Sequence, residues 1–332
     1  MNAALRWLAS LGWRHRPAAE VARWRGGPND VLLRPRLIQA LQAHRFDYRG
    51  ERYPLSPGGI DQVVREVEGL SLADGLLAAN ERFYRLLTLG VTVTEFMPDG
   101  KKHQPTVPLV DWQTPDTNQW DAVESPELHT TIGAHPRRPG VLGYVNGLPL
   151  VVVECKKGSE ICANPMQEAF VQLQRYMRRR AETEAAGLKE GEPRLFHSNL
   201  MVVRSCGLEA DYGTITSEEE HFYGWKTLYP QDDATLAGLN AQQQLVAGML
   251  THSNLLQILR TSAVCMDTDG GPRVKVVCRY QQFRAACKVV ERLRSGQTAL
   301  ERSGVDFSTN DLVEVAQWGI SIKQVLIEKK LF

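Results

Sequence analysis

The spacing of apolar and polar positions changes several times along the chain, and each change predicts a new element. Apolar residues at helical spacing predict helices over 32–43, 59–89 (as two helices), 165–185, 234–252, 253–260 and 281–295. Alternating or continuous apolar residues predict strands over 91–96, 105–112, 141–145, 148–155, 200–204, 213–216 and 274–278. This order predicts an α/β fold, with a mixed central sheet flanked by helices and followed by a small helical region.

One pair of predicted strands stands out. Val141–Val145 and Leu148–Cys155 are separated by Asn146-Gly147. An Asn-Gly pair favours the tight turn of an antiparallel hairpin, because both residues tolerate positive φ. The second strand is apolar at successive positions, which predicts burial on both of its faces.

Composition limits the setting of the protein. The formal net charge is +1, so the total charge does not require a nucleic-acid partner, although a balanced total can conceal a basic face. The longest clear apolar run, Leu148–Val153, is too short to cross a membrane. The six cysteines are scattered without zinc-type spacing, and the N-terminus lacks the apolar core of a signal peptide. These features predict a protein with reduced thiols in the cytoplasm.

The candidate chemistry lies at the end of the second hairpin strand, where Glu154 and Lys156 follow the apolar run. Residues two apart on a strand point to the same side, so a carboxylate and an ammonium group should project together. The carboxylate can hold a divalent cation through oxygen, and the lysine can orient a water or stabilise charge on a phosphate. The alternative for this pair alone is an ordinary salt bridge at a strand end.

The predicted helix after this strand supports the first interpretation. It carries Gln172 and Tyr176, which are one turn apart on one face. It continues into Arg178, Arg179 and Arg180, which are candidate contacts for DNA phosphates. The alternative for the arginines is a solvated helix face.

Residues 138–156, RPGVLGYVNGLPLVVVECK, resemble the nuclease core of the R subunits of type I restriction enzymes, which belong to the PD-(D/E)xK nuclease superfamily. Further matches are residues 109–112 with Asn118, Gln172-x-x-x-Tyr176, 195–199 and 212–214. The resemblance extends over roughly 69–293.

The resemblance implies a Mg²⁺-dependent nuclease that cleaves double-stranded DNA in a complex with methylase and specificity subunits. Carried over by position, Glu154 is a metal ligand and Lys156 is the catalytic lysine. Gln172 and Tyr176 match the Gln-x-x-x-Tyr element, which assists activity or DNA contact. The predicted division is an N-terminal lead-in over 1–60, a nuclease-like domain over 61–230 and a helical linker with the incomplete start of a motor domain over 231–332.

The sequence departs from the family pattern at the first acidic ligand. That aspartate should follow Arg-Pro, and Gly140 occupies its position here. Three interpretations remain open: the nuclease is inactive, another carboxylate replaces the missing one, or the chain is an inactivated variant. We predict a strongly impaired metal site. The candidates for a replacement carboxylate are Glu81, Asp121 and Glu124.

The C-terminal part raises the question of an ATP motor. Residues 279–285 resemble the adenine-reading glutamine motif of superfamily 2 helicases, with Gln282 at its centre. The Gly-rich phosphate loop with its lysine is absent from the sequence, so ATP is not expected as a cofactor of this chain. The simpler interpretation of Gln282 is a polar residue on a short amphipathic helix.

Two functions therefore compete. The first is the nuclease module of a type I restriction-modification enzyme, hydrolysing DNA phosphodiester bonds with Mg²⁺ and impaired by Gly140. The second is a non-catalytic, truncated R-subunit remnant that binds DNA or the methylase–specificity complex.

Overall fold

A six-stranded mixed sheet forms the centre of the computed structural model, which describes residues 3–27, 30–128, 137–157, 163–177, 179 and 191–295. The helices are α1 (Ala3–Ser10), α2 (Ala18–Trp24), α3 (Arg34–Ala43), α4 (Pro57–Glu68), α5 (Leu76–Leu89), α6 (Pro165–Met177), α7 (Ala241–Met249), α8 (His252–Thr261) and α9 (Tyr280–Ser295). The first strands are β1 (Arg14–Arg16), β2 (Arg45–Tyr48), β3 (Glu51–Pro54), β4 (Val91–Thr92), β5 (Glu95–Phe96), β6 (Lys102–His103) and β7 (Thr106–Val107). The remaining strands are β8 (Trp120–Glu124), β9 (Val141–Val145), β10 (Leu148–Cys155), β11 (Met201–Ser205), β12 (Ala210–Gly213), β13 (Ala263–Met266) and β14 (Val274–Val277).

The central sheet confirms the predicted mixed α/β architecture. Its order is β1-β8-β9-β10-β11-β12. The pairs β8–β9, β9–β10 and β11–β12 are antiparallel, whereas β1 pairs parallel with β8 and β10 pairs parallel with β11. Parallel neighbours require a crossover connection, and α6 lies in the segment between these two strands.

The predicted hairpin is confirmed. Strands β9 and β10 pair antiparallel, and Val152 lies opposite Leu142. Asn146 and Gly147 both have positive φ, at 49° and 79°. These are the backbone angles that the tight two-residue turn requires.

Several elements differ from the sequence-based expectation. The predicted strands over 91–96 and 105–112 contain only the two-residue strands β4, β5 and β7. The predicted helix over 234–252 is a short 3₁₀ segment at Asp233–Gly238 followed by α7. Helix α6 ends at Met177 as described, and the predicted extension to residue 185 lies largely outside the described residues.

The pattern did not predict β1 and β8, although both belong to the central sheet. Strand β8 carries Asp121 as its second residue, and this carboxylate interrupts the apolar pattern. Asp121 is fully buried because Arg16 and Arg36 each approach it to 2.8 Å. A buried charge paired in this way fits a sheet interior, but the two partner arginines lie 105 and 85 residues away in the sequence.

Two apolar cores lie against the sheet. One contains Val123, Leu142 and Val152 together with Leu173 and Tyr176 of α6, so α6 covers this face. The other core, which includes Trp13, Val151 and Val153, packs against the opposite face. Successive residues of β10 therefore enter different cores, which explains its continuous apolar sequence.

The C-terminal part of the described chain packs onto the domain. Gln282, from the predicted glutamine motif, accepts a hydrogen bond from the backbone N–H of Arg279 at 2.8 Å and so caps the start of α9. Phe283 is buried beside Trp225, with ring centroids 5.4 Å apart. Among the described residues, no helix is long and apolar enough to cross a membrane.

A buried lysine joins β14 to α5. Lys275 is 2% exposed, and its Nζ donates a hydrogen bond to Asn80 Oδ1 at 2.5 Å. The amide of Asn80 in turn donates to the carbonyls of Phe196, His197 and Asn199. Burial lowers the pKa of Lys275 to about 8 from an ordinary value of 10.5. A charged lysine here costs stability, because the ammonium group loses its hydration.

This pKa predicts a stability that rises with pH in the alkaline range. Between pH 8 and 10.5 the unfolded chain keeps the Lys275 proton that the folded chain has released. The difference in free energy of unfolding between the unmodified protein and the Lys275→Met variant should therefore rise by roughly 1 kcal/mol per pH unit in this window. Urea denaturation at several pH values measures this difference. The exposed-residue control, Lys226→Met, should give a flat difference, and an equally flat result for Lys275→Met contradicts the prediction.

Candidate active site

Glu154 lies near the end of β10, on the face that α6 covers. It is 3% exposed. Its Oε2 accepts a hydrogen bond from the backbone N–H of Gly140 at 3.1 Å, and its Oε1 lies 3.3 Å from Lys156 Nζ. The backbone N–H of Lys156 donates to the carbonyl oxygen of Ser205 in β11 at 2.9 Å, which holds the lysine just after the end of β10. The predicted pairing of Glu154 with Lys156 is therefore present in the structure.

The surroundings of Glu154 have opposing effects on its ionisation. Burial raises the pKa of this carboxyl, because a desolvated charge is unfavourable. The Lys156 ammonium and the Gly140 N–H lower the pKa again, and the charge of Glu168 raises it. The net direction of the pKa shift is upward, so the two donors offset only part of the desolvation cost of the charged carboxylate.

Helix α6 brings the Gln-x-x-x-Tyr element to the same place. The hydroxyl of Tyr176 donates to the carbonyl oxygen of Arg138 at 3.0 Å, two residues before Gly140. Burial and then the nearby charge of Glu154 raise the pKa of Tyr176. Gln172 hydrogen-bonds to Tyr176 and also accepts from Arg175 at 3.3 Å. The structure thus gathers all four sequence-predicted site residues around one strand end.

Glu168 is a candidate site residue that the sequence analysis missed. It lies in the first turn of α6 and is exposed, and its charge acts on Glu154. The signal for it was present in the sequence: Glu168, Gln172 and Tyr176 recur every four residues, which places them along one face of a helix. It offers a second carboxylate, from α6, whose charge acts on Glu154.

Gly140 lies where the first acidic ligand was expected. A Cβ on this residue would lie 2.8 Å from the carbonyl oxygen of Val153 and 2.9 Å from the amide nitrogen of Cys155. Both neighbours are backbone atoms of β10, so they cannot move aside as a flexible side chain can. The absence of a side chain lets the two strand ends approach closely, and Gly140 contributes an N–H to Glu154 where a ligand was expected.

None of the three proposed replacement carboxylates faces Glu154. Asp121 is engaged by arginines in the middle of β8, and Glu81 pairs with Arg273. Glu124 ends β8 beside Val141, which belongs to the core on the other face of the sheet. Because side chains alternate along a strand, Glu124 points away from the face that carries Glu154.

The arginines after α6 can be followed only in part, because Arg178 and Arg180 lie outside the described residues. Arg179 donates to the carbonyl oxygen of Ile215 at 2.8 Å and pairs with Glu218 at 2.7 Å. Its guanidinium therefore anchors the loop after β12, and a DNA contact by Arg179 stays a prediction.

The site offers the type of donor atom that Mg²⁺ prefers, but only a few such donors. Oxygen is the donor that a hard divalent cation prefers, and Mg²⁺ is often held by one or two carboxylates with water and phosphate completing its shell. Glu154 provides one carboxylate and Glu168 can provide another from α6. Within the part of the chain that the structure describes, no group of three or more His, Cys, Asp or Glu residues is placed to hold a metal.

Comparison with known proteins shows the family to which the chain belongs. The family model described as the N terminus of type I restriction enzyme R proteins matches residues 1–221, about two thirds of the chain. The chain belongs to this family. The family resemblance inferred from residues 138–156 is thereby confirmed, and the match also includes β1 and β8 of the central sheet.

Two similar proteins are R-subunit relatives of much greater length. The type I restriction enzyme HindI endonuclease subunit of Haemophilus influenzae is 29% identical over 290 residues, which are 86% of this chain and 25% of that protein. A provisionally named type I restriction enzyme MjaIXP endonuclease subunit of Methanocaldococcus jannaschii is 23% identical over 310 residues, 88% of this chain and 27% of that protein. This type I R-protein chain spans about a quarter of the length of these relatives.

The Glu154–Lys156 pair of this R-protein chain predicts a measurable energetic coupling. Lys156→Met leaves the buried carboxylate without its cation, and should lower the free energy of unfolding by about 1–3 kcal/mol. In the Glu154→Gln background no such charge remains, so the same change should cost much less. Urea denaturation of the two single variants and the double variant measures the coupling. Equal costs of Lys156→Met in both backgrounds would show that the pair contributes nothing.

Proposed function

We propose that this chain carries the nuclease module of the DNA-cleaving subunit of a type I restriction-modification enzyme, and that its Mg²⁺-dependent hydrolysis of DNA phosphodiester bonds is weak. The observation that carries the proposal is the convergence of Glu154 and Lys156 at one strand end, with Tyr176 of α6 against the same place. Family membership supports the reaction class. Because the chain spans about a quarter of its relatives, the double-stranded DNA substrate and the methylase and specificity partners are part of this proposal.

Each side chain has a role that follows from its position. Lys156 is 28% exposed while its ammonium group reaches Glu154, so it can contact both the carboxylate and an incoming phosphate or water. Its positive charge can stabilise the negative charge that develops on the phosphate. Tyr176 positions the strand end through its bond to the Arg138 carbonyl, and Gln172 orients the Tyr176 hydroxyl. Glu154 and Glu168 would hold Mg²⁺, which supplies Lewis-acid stabilisation and an activated water when bound.

A second candidate function is supported by the same residues. Gly140 supplies no oxygen ligand from a side chain, and Glu154 is only 3% exposed. A module with these two features can bind DNA or the methylase–specificity complex without cutting. A plasmid-nicking assay with and without Mg²⁺, followed by the variants below, distinguishes the two candidate functions.

Replacement of Gly140 tests the proposed cause of weak activity. Gly140→Asp adds a carboxylate beside Glu154 and should raise Mg²⁺-dependent nicking of plasmid DNA by at least about tenfold, since a better-held metal lowers the barrier. Both Gly140→Asp and the matched control Gly140→Ala should lose about 1–3 kcal/mol of stability, because a Cβ meets the β10 backbone. Activity should rise only in the aspartate variant. No gain in Gly140→Asp, or an equal gain in Gly140→Ala, contradicts the proposed cause.

Replacement of Glu168 tests the second oxygen donor. Glu168→Gln keeps the size of this exposed side chain and removes its charge, so folding should be unaffected while residual Mg²⁺-dependent nicking falls by about tenfold. In the Gly140→Asp background the loss should be smaller, because the new aspartate supplies the second charge. Glu220→Gln, which removes the charge of another exposed glutamate, serves as the matched control. Unchanged nicking in Glu168→Gln would remove Glu168 from the site.

A further inference from the structure

A broad groove lies at the other end of the central hairpin from Glu154. It has a volume of about 730 Å³ and its lining includes Asn146 of the β9–β10 turn. Glu154 is eight residues further along the chain, at the opposite end of β10. At the rise of a β-strand this separation is roughly 25 Å, so the groove is distinct from the candidate active site.

The charge of this groove is strongly one-sided. Five arginines line it, namely Arg14, Arg36, Arg45, Arg52 and Arg260. Among the described residues that line it, the only carboxylate is that of Asp111. That carboxylate accepts hydrogen bonds from the backbone N–H groups of Gln113 and Thr114 and from the Thr117 hydroxyl, so it is used to build its own turn. Arg36 is paired with the buried Asp121, so the other four arginines supply the local excess of positive charge in a chain whose net charge is only +1.

Two of these arginines are available for a ligand. Arg14 is exposed and forms no ion pair within the described residues. Arg52 is 70% exposed and lies 3.9 Å from the equally exposed Asp47, which makes a weak pair in water. Arg45 is held in place because it donates to the carbonyls of Gln42 and His44. After burial itself, the charges of Arg52 and Arg45 are the largest causes that lower the pKa of His44.

The remaining surface of the groove suits a polyanion better than a protein partner. Its large aliphatic residues Leu41, Leu109 and Val110 are at most 2% exposed and form a buried floor, and the more accessible apolar residues of the lining, apart from Trp112, are the small Ala40, Ala43 and Pro108, so the groove offers no large aliphatic centre for a protein interface. Trp112 is partly exposed at the edge, with the Arg260 guanidinium 5.7 Å from its ring centroid. Arginine guanidinium groups bind phosphate through paired N–H donors, and aromatic rings next to them stack on bases.

We propose that this groove is a second nucleic-acid site, which binds the phosphate backbone of DNA separately from Glu154. The choice of DNA as the polyanion rests on the proposed function, whereas the groove and its charge do not. A duplex and a single strand present the same phosphate chemistry, so both are needed as probes. Binding here would hold one part of the DNA while the strand end at Glu154 contacts another.

The test compares two double variants of equal charge change in the full 332-residue chain. Arg14→Gln/Arg52→Gln removes two charges from the groove, and Arg65→Gln/Lys226→Gln removes two exposed charges that do not line it. Fluorescence anisotropy with a labelled 20-base single strand and a labelled 20-base-pair duplex measures affinity over a series of salt concentrations. The groove variant should bind at least about tenfold more weakly, and the slope of log K against log salt should become less steep by about 2 for duplex. The matched control should change affinity by less than about twofold.

The lysine variant Arg14→Lys/Arg52→Lys keeps the charge and should retain most of the salt dependence, which separates charge from misfolding. The proposal is overturned if the groove variant and the matched control bind both probes with equal affinity and equal salt slope. Plasmid nicking is a separate readout. Failure to nick, with the groove variant still impaired in binding, contradicts the proposed nuclease function and leaves the groove assignment in place.

Discussion

The side chain of Asn146 fixes the register on which the central sheet depends. Its Oδ1 accepts from the backbone N–H of Gln119 at 2.8 Å, and its Nδ2 donates to Leu109 at 3.0 Å and to Asn118 at 2.8 Å. These bonds tie the hairpin turn to the entry of β8 and to the loop before it. A strand register has period two, so a slip of one residue would exchange the two cores on either side of β10. The buried amide network makes such a slip costly, because each of its polar groups would be left buried without a hydrogen-bond partner.

The candidate active site is a consequence of this register. With Val141 opposite Val153, Gly140 falls beside Glu154, and its N–H reaches the carboxylate. The close approach of the two strand ends is possible because Gly140 has no side chain. Gly140 therefore shapes the backbone around Glu154 at the position where a metal ligand was expected. Stability and chemistry are coupled here, since the buried carboxylate needs Lys156 whether or not a metal is bound.

Charge is distributed unevenly about the same sheet. At the turn end of the hairpin, five arginines line the groove, and one of them, Arg36, pairs with the buried Asp121, as does Arg16. At the strand end, Glu154 pairs with Lys156, and the charges of Glu168, Arg137 and Arg175 act on the same site. The small net charge of the chain conceals the local excess of arginines at the turn end. Such an excess can attract a polyanion to that surface before any specific contact forms.

Local sequence determined the elements whose signals are local. The Asn146-Gly147 turn, the buried strand β10 and the pairing of Glu154 with Lys156 all follow from residues close together in the chain, and the structure bears them out. The spacing of Gln172 and Tyr176 likewise determined their common helix face. Tertiary structure alone decided the rest.

Strand β8 is invisible in the apolar pattern because Asp121 is satisfied by arginines about 85 and 105 residues away in the chain. The side of the sheet that Glu124 faces, the approach of Glu168 and the gathering of arginines into one groove all depend on which strands become neighbours. A sequence lists charges in order along the chain, whereas burial and strand pairing decide which charges meet.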